Sequence, residues 1–177
     1  MLKYPKIIRL KFFEDLRGKL SRIFCKNELE KKKINFSIKQ INHVIVKKKG
    51  TVKGMHYQIM PYSEIKIVKV IKGKIYDVLI DIRKDSKEFL KNKKFLLDSN
   101  KNDILIIPKG YAHGFQTLTD QCEIIYCHSE FFNVKKERSI NPFDKYVNIK
   151  WPIQVTNVSV KDKSAKLITK TFKGYKI

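Results

Sequence analysis

Short apolar runs alternate with polar positions along most of the chain, and they are the length of strands. They are rich in β-branched and aromatic residues, which favour strands over helices. Turn signals containing glycine, proline, asparagine or aspartate separate them. Many short strands at this spacing predict an all-β sandwich or barrel. The clearest predicted strands are 37–46, 64–70, 75–82, 103–107 and 122–126.

Two short helices and one hairpin complete the predicted elements. A helix is expected over 26–33, between two strand regions. A second is expected over 161–166, with Ser159 or Asp162 near its start as a capping residue. The run Ile71-Lys72-Gly73-Lys74 (71–74) predicts a tight hairpin between two strands.

Length and composition indicate one globular domain over residues 1–177. Hydrophobic residues make up 42% of the 177 positions, which is sufficient for a sizeable core. No run approaches the roughly 20 apolar residues that span a bilayer, and the N-terminal segment lacks the features of a signal peptide. We therefore expect a cytoplasmic protein with no membrane partner. Its cysteines, Cys25, Cys122 and Cys127, are predicted to be free thiols.

The formal net charge of +22 raises the question of nucleic-acid binding. The lysines are dispersed along the chain, and no nucleic-acid motif is present, so we expect no nucleic-acid partner. A small anionic substrate such as a sugar diphosphate would be attracted by the same positive field.

Two segments carry candidate chemistry, and each places a histidine near a glycine beside a predicted strand. The first is KGMHYQ at 53–58, followed by Glu64 and Lys66; the second is PKGYAHGF at 108–115. In a small barrel, inward side chains alternate with outward ones. A few polar side chains can therefore converge inside an apolar cavity.

These segments belong to an ordered series of short motifs. Along the chain the series reads FxDxRG at 13–18, QxN at 40–42, KGMHYQ at 53–58, KIV at 66–68, DVxxDxRxxS at 77–86, PxGxAHGF at 108–115, ExxY at 123–126, IxWP at 149–152 and SxKD at 159–162. The series resembles the cupin superfamily and, more closely, the dTDP-4-dehydrorhamnose 3,5-epimerase family.

The resemblance implies an all-β cupin or jelly-roll β-barrel with a few short peripheral helices. It implies an isomerase that needs no cofactor and epimerises C3, C5 or both of a nucleotide-linked 4-keto sugar, in the synthesis of surface-polysaccharide sugars. It also implies a homodimer, in which N-terminal strands join the partner's sheet.

The resemblance assigns four catalytic roles. His56 is the base that removes a proton beside the keto group, and Asp162 holds the imidazole ring and stabilises its charged form. Lys66 faces the enolate oxygen. Tyr126 donates a proton from the opposite face of the sugar.

Further residues fall at positions where the family contacts the nucleotide sugar: Arg17, Gln40, Asn42, Lys53 and His113. His43 and His128 have no matched role and are interpreted as structural.

Two departures from the family pattern concern recognition of the substrate. Lys53 replaces an arginine and loses its bidentate fork, and Phe132 replaces a second tyrosine. The sequence leaves open the nucleotide (dTDP or GDP), the sugar (a 6-deoxyhexose or a heptose), and whether C3 alone reacts.

Three alternatives remain at this point. His56, Gln58, Glu64 and His113 form a degraded version of a cupin metal site, in which Gln58 replaces a histidine; no metal is expected. A 3,4-ketoisomerase would use a related site, usually with a second histidine close after the first. A non-catalytic cupin that binds a sugar or a metal is the third alternative.

Overall fold

The computed structural model describes residues 2–177, which are built almost entirely from short strands. The strands are β1 Lys6–Arg9, β2 Phe12–Asp15, β3 Gly18–Ser21, β4 Gln40–Val46, β5 Thr51–Gln58, β6 Lys66–Lys72, β7 Lys74–Asp81, β8 Asn92–Asp98, β9 Asp103–Ile107, β10 Tyr111–Thr117, β11 Cys122–His128, β12 Glu137–Ser139 and β13 Asn157–Val158. The helices are α1 Lys26–Lys31, α2 Val160–Lys163 and a 3₁₀ turn at Ser99–Lys101.

Two sheets form the barrel. One contains five strands in the order β1-β9-β6-β11-β4, and the other follows the order β12-β5-β10-β7-β8, with β13 alongside β5. Every pairing within them is antiparallel except that of β13 with β5. Strands β2 and β3 pair with each other as a separate hairpin. The predicted all-β fold with short peripheral helices is confirmed.

The main core lies between the two sheets. Val68 and Leu105 of the five-stranded sheet pack in one cluster with Leu79 and Phe115 of the other sheet. Each is at most 2% exposed, and full burial of such a side chain contributes about 1.5–3 kcal/mol. These contacts hold the two sheets together.

Part of the outer face of each sheet is also covered. The C-terminal segment places Ile140, Val147 and Ile168 on the outside of the six-stranded sheet. Segments around β1 and α1 cover the outside of the other sheet with residues such as Leu29 and Phe36. Strands such as β7 therefore carry apolar residues on both faces. Their sequences for this reason lack a simple alternation of apolar and polar residues.

The prediction of a hairpin at 71–74 is wrong. β6 and β7 follow each other directly, but they belong to different sheets. The chain turns a corner at Gly73, whose φ is +82°. A Cβ there would lie 2.5 Å from Thr119 Oγ1 and 2.7 Å from Cys122 Sγ, so the corner requires glycine.

Both predicted helices are present. The first is slightly shorter than expected, and the second begins after Ser159, whose hydroxyl accepts a hydrogen bond from the backbone N–H of Asp162. This N-cap fixes the turn that carries Asp162 toward β5. No helix within residues 2–177 is long and apolar enough to cross a membrane. Cys25, Cys122 and Cys127 are free thiols.

Candidate active site

A cavity of about 200 Å³ opens between the two sheets beside the main core, which contributes Phe115 to its lining. Most of its lining side chains are polar or aromatic. They are Gln40, Asn42, Lys53, His56, Tyr57, Gln58, Glu64, Lys66, His113, Phe115, Tyr126, His128, Phe132 and Glu137, with Gly114. Of the nine residues predicted for the site, seven line this cavity; Asp162 lies directly behind it, and Arg17 lies elsewhere.

His56 and Asp162 form the first histidine–carboxylate pair. Nε2 of His56, on β5, lies 2.6 Å from Oδ1 of Asp162, while the backbone N–H of Gly54 donates to Oδ2 at 3.2 Å. Burial by itself would raise the pKa of Asp162, but the bonds from His56 and Gly54 outweigh it and lower the pKa below its usual range. The charged carboxylate holds the proton of the ring on Nε2, which leaves Nδ1 of His56 as the basic nitrogen.

Two glycines let β5 and β10 approach closely beside this pair. A Cβ on Gly54 would lie 2.5 Å from the Cα of Gly114, and a Cβ on Gly114 would lie 2.6 Å from the carbonyl oxygen of Lys53. His56 and His113 pair across these strands, and the register shifts immediately afterwards. The close contact thus sets the spacing of the two histidines.

His113 and Asp77 form the second pair, which is more deeply buried. Nε2 of His113 lies 2.7 Å from Oδ2 of Asp77. The other carboxylate oxygen, Oδ1, is buried without a hydrogen-bond partner within residues 2–177. Burial raises the pKa of Asp77, and His113 opposes the shift without cancelling it.

Tyr126 lies on β11, in the sheet opposite His56. Its ring meets those of His113 and His128 edge-on, with centroids 5.6 and 6.1 Å away. Burial raises the pKa of Tyr126 well above its usual value, and the negative charge of Asp77 adds to the effect. The phenol therefore keeps its proton at neutral pH and can act as a donor.

Lys66 brings a positive charge into the cavity from β6. Its ammonium lies 3.3 Å from Oε1 of Glu64, and the two side chains are 13% and 7% exposed. Burial favours a raised pKa for Glu64, but Lys66 and His128 outweigh it, and the pKa is lowered. Glu64 is therefore an anion held between two partners.

Gln40, Asn42 and Lys53, predicted to contact the substrate, line the cavity. Arg17 does not, because it lies on the β2–β3 hairpin with 89% of its side chain exposed and pairs with Asp15 at 2.6 Å. Within the part of the chain that the structure describes, β2 and β3 pair with each other, and Arg17 does not line the cavity of its own chain.

The side chains of the degraded cupin metal motif form hydrogen bonds with other groups of the protein. The amide of Gln58 donates to the carbonyl oxygens of Tyr62 and Phe131 and accepts from the N–H of Asn133, which anchors a neighbouring loop. Within residues 2–177, no group of three or more His, Cys, Asp and Glu side chains is placed to hold a metal ion. The absence of a cofactor stays a prediction.

Sequence reasoning missed two members of the site. His128, interpreted as structural, lines the cavity, and Asp77 was noted only as part of a motif. The spacing of His128 gave a signal, because it follows Tyr126 by two residues on a strand and must face the same side.

Three comparisons with known proteins agree with this geometry. A family model described as dTDP-4-dehydrorhamnose 3,5-epimerase matches residues 2–170. The dTDP-4-dehydrorhamnose 3,5-epimerase of Shigella flexneri is 38% identical over 159 residues, which cover 88% of this chain and 86% of the relative.

Two solved structures show the same architecture. The dTDP-4-dehydrorhamnose 3,5-epimerase of Bacillus anthracis, with TDP and PPi bound, gives a TM-score of 0.90 at 32% identity and covers 93% of this chain and 94% of that chain. The dTDP-6-deoxy-D-glucose-3,5-epimerase of Legionella pneumophila, in complex with dTDP-4-keto-L-rhamnose, gives 0.86 at 33% identity, with 92% and 87% covered.

The comparisons confirm the predicted jelly-roll fold of the cupin type and the predicted class of enzyme, an isomerase. The match extends over nearly the whole of the described chain, so it includes both histidine segments and the C-terminal aspartate. This chain belongs to the dTDP-4-dehydrorhamnose 3,5-epimerase family.

Proposed function

We propose that this protein epimerises a dTDP-linked 4-keto-6-deoxyhexose at C3, C5 or both, by proton transfer through an enolate. One observation carries the proposal: His56 and Tyr126 line the same cavity from opposite sheets. Inversion of a carbon removes a proton from one face and returns one to the other. The reaction therefore needs a base and an acid on opposite sides of the ring.

The chemistry follows from the acidity of C–H bonds beside a ketone. Nδ1 of His56 takes the proton, and Asp162, 2.6 Å from Nε2, stabilises the imidazolium that forms. The ammonium of Lys66 stabilises the negative charge that develops on the keto oxygen. Tyr126 then gives its proton to the opposite face of the same carbon.

The remaining polar side chains would bind the nucleotide sugar. Lys53 provides a cation for the diphosphate, Gln40 and Asn42 provide amides, and His113 borders the sugar. The net charge of +22 attracts the anionic substrate to the protein. We propose no nucleic-acid partner and no membrane partner.

The proposal includes a homodimer in which Arg17 completes the partner's site. β4 ends its sheet, with Ile41 and Ile45 on its outer face 59% and 58% exposed. The β2–β3 hairpin exposes Leu16 and Leu20. A hairpin that adds to the open β4 edge of a second copy would cover these side chains and bring Arg17 close to the cavity mouth.

Mixed dimers test this arrangement. Arg17→Ala and His56→Asn proteins are each expected to have little activity. A mixed dimer contains one site with an intact His56 and an Arg17 from the partner, so mixing after partial unfolding should restore activity. Failure of the mixture to regain activity, together with a monomeric mass in light scattering, would contradict the dimer.

The epimerase itself is tested by isotope exchange. The protein is incubated with dTDP-4-keto-6-deoxyglucose in deuterated water, and the sugar is analysed by NMR. Deuterium is expected at C3, C5 or both, with His56→Asn as the control. No label, also with the GDP-linked sugar and with a heptose, would reject the epimerase. Movement of the carbonyl to C3 would indicate a ketoisomerase instead.

We also propose a single domain over 1–177, a cytoplasmic location, no cofactor, and a role in making sugars for surface polysaccharides. The cofactor-free mechanism makes a direct prediction, because no step requires a metal. Exchange should persist after dialysis against a strong chelator, and a loss that added divalent metal restores would overturn it.

A further inference from the structure

A series of hydrogen bonds that ends in an ion pair runs along the inner face of the five-stranded sheet. At one end, the backbone N–H of Phe132 donates to Oε1 of Gln40 at 3.0 Å. Nε2 of Gln40 then donates to Oδ1 of Asn42, also at 3.0 Å. Two substrate-side amides are thus fixed in orientation by a backbone group that can only donate.

The series continues from Asn42 to Lys66. Nδ2 of Asn42 lies 3.3 Å from Nε2 of His128, and Nδ1 of His128 lies 2.7 Å from Oε2 of Glu64. Oε1 of Glu64 lies 3.3 Å from the ammonium of Lys66. Strand register supports this order, because His128 is aligned with Gln40 on one side and with Lys66 on the other.

The direction of every bond follows from the first one. Because Oε1 of Gln40 accepts, its amide nitrogen must donate, and Oδ1 of Asn42 accepts in turn. The amide nitrogen of Asn42 is then a donor, so Nε2 of His128 must be an acceptor. His128 is therefore neutral, with its proton on Nδ1, and donates that proton to Glu64.

Glu64 is the point at which this series meets the charge of Lys66. The carboxylate is nearly buried, and each of its oxygens faces a different donor. A free ammonium on a flexible side chain would sample many positions, whereas one held by a fixed carboxylate samples few. What fixes Glu64 is its bond to His128.

We propose that Glu64 and His128 are positioning residues, which hold the ammonium of Lys66 at the keto oxygen and link its placement to Gln40 and Asn42. The inference rests on the proposed function and deepens it. The amides that contact the substrate and the cation that stabilises the enolate would then be set by one network. Disturbing the network should lower the rate of proton removal more than the affinity for substrate.

The ring tautomer of His128 tests the network without any assay of activity. In protein labelled with ¹⁵N at histidine, two-bond correlations assign the protonated nitrogen of each ring. The expected result is a neutral His128 with its proton on Nδ1. A proton on Nε2 would break the series at Asn42 and overturn the proposal, even if the protein proved to have no epimerase activity.

Glu64→Gln distinguishes the contact of Glu64 with His128 from its contact with Lys66. The glutamine oxygen can still accept from His128, but its amide turns a donor toward Lys66 and removes the negative charge. We expect kcat for deuterium exchange to fall about tenfold with KM changed less than twofold. Glu88→Gln is the matched control, since Lys91 and Glu88 also lie 3.3 Å apart, but on the surface away from the cavity.

His128→Phe and His128→Gln distinguish positioning from packing. Phenylalanine keeps a ring against Tyr126 but makes neither hydrogen bond, whereas glutamine offers one donor and one acceptor. Phenylalanine should lower kcat about tenfold, and glutamine should restore part of the loss, with melting temperatures showing that both proteins fold. Full activity of the phenylalanine variant, or no difference between the two, would show a packing role alone.

Discussion

The two histidine–carboxylate pairs of the barrel have the same composition and nearly the same spacing, but different surroundings. His56 and Asp162 are 2.6 Å apart, and His113 and Asp77 are 2.7 Å apart. The His56 side chain is 32% exposed to the cavity, while that of His113 is 5% exposed. Both oxygens of Asp162 accept hydrogen bonds, whereas one oxygen of Asp77 has no donor among residues 2–177.

The pKa values of the two carboxyl groups shift in opposite directions as a result. Donors from His56 and the backbone overcome burial at Asp162, and its pKa is lowered. Burial dominates at Asp77, and its pKa is raised. Both pairs contain a histidine, so the depth of burial together with the number of donors around the carboxylate decides the direction of its pKa shift.

Replacing each of the two histidines should give the largest difference between the two pairs. His56→Asn removes the proposed general base, and a general base typically contributes 10²–10⁴-fold, so we expect exchange to fall about 10³-fold or more. His113→Asn leaves the base in place and should cost only about tenfold. Both are measured by deuterium incorporation under saturating substrate. Equal losses would show that the two pairs share one role.

Asp162→Asn should have the next largest effect. Asparagine keeps the shape but not the charge that stabilises the imidazolium, and it can present a donor to Nε2, which favours the wrong tautomer. We expect kcat to fall about 10²-fold. Because the pKa of Asp162 is lowered, the native pair should stay intact down to acidic pH. An Asn variant as active as the native protein would exclude this role.

Tyr126→Phe should affect the product more than the exchange. Without the phenol, His56 can still remove and return a proton on one face, so deuterium should still enter the sugar. Inversion needs the opposite face and should fall about 10–100-fold. NMR of the sugar compares the amount of deuterium with the amount of inverted product. Equal decreases in both would place the acid elsewhere.

Asp77→Asn should change stability with a pH dependence of known sign. The raised pKa of Asp77 means that the folded state disfavours the charged carboxylate. The charge therefore destabilises the native protein at neutral pH. Below about pH 4 the group is neutral in both the folded and the unfolded state, and this destabilisation disappears. Asparagine removes this penalty, and a gain of ~1 kcal/mol would raise the melting temperature at pH 7 by about 2–4 °C.

Calorimetry between pH 4 and pH 8 measures the effect. The difference between the Asn variant and the native protein should shrink as the pH falls toward 4. Asp162→Asn supplies the contrast, because its carboxylate has a lowered pKa and contributes stability above its unfolded pKa that is lost in acid. A destabilised Asp77→Asn protein at neutral pH would contradict the burial argument.

Local sequence patterns predicted the strands but not every connection between them. β-branched runs and turn residues are local signals, and β9 has the bounds that the pattern predicts. The corner at Gly73 was predicted as a hairpin because a glycine between two lysines fits both geometries. Which sheet a strand joins is decided by distant packing partners, and a short segment carries no information about them.

The candidate site likewise contains residues that local motifs predict and residues whose roles depend on long-range contacts. His56, His113, Lys66 and Tyr126 were identified because their motifs keep a family order that local reading can detect. His128 was missed because its meaning depends on Glu64, which lies 64 positions away along the chain. The spacing of His128 from Tyr126 indicates which face of the strand it occupies, but its bond to Glu64 can be inferred only once the fold is known.

The close approach of Gly54 on β5 to Gly114 on β10 predicts the effect of a mutation at Gly114. A methyl group on Gly114 would meet Sδ of Met55 at 2.5 Å and the backbone of Lys53 at 2.6 Å, so β5 and β10 would have to separate. A Gly114→Ala substitution would keep every reactive side chain but increase the distance between the two histidines. Separating the strands would also lower the stability of the folded protein, so a Gly114→Ala allele is expected to be heat-sensitive.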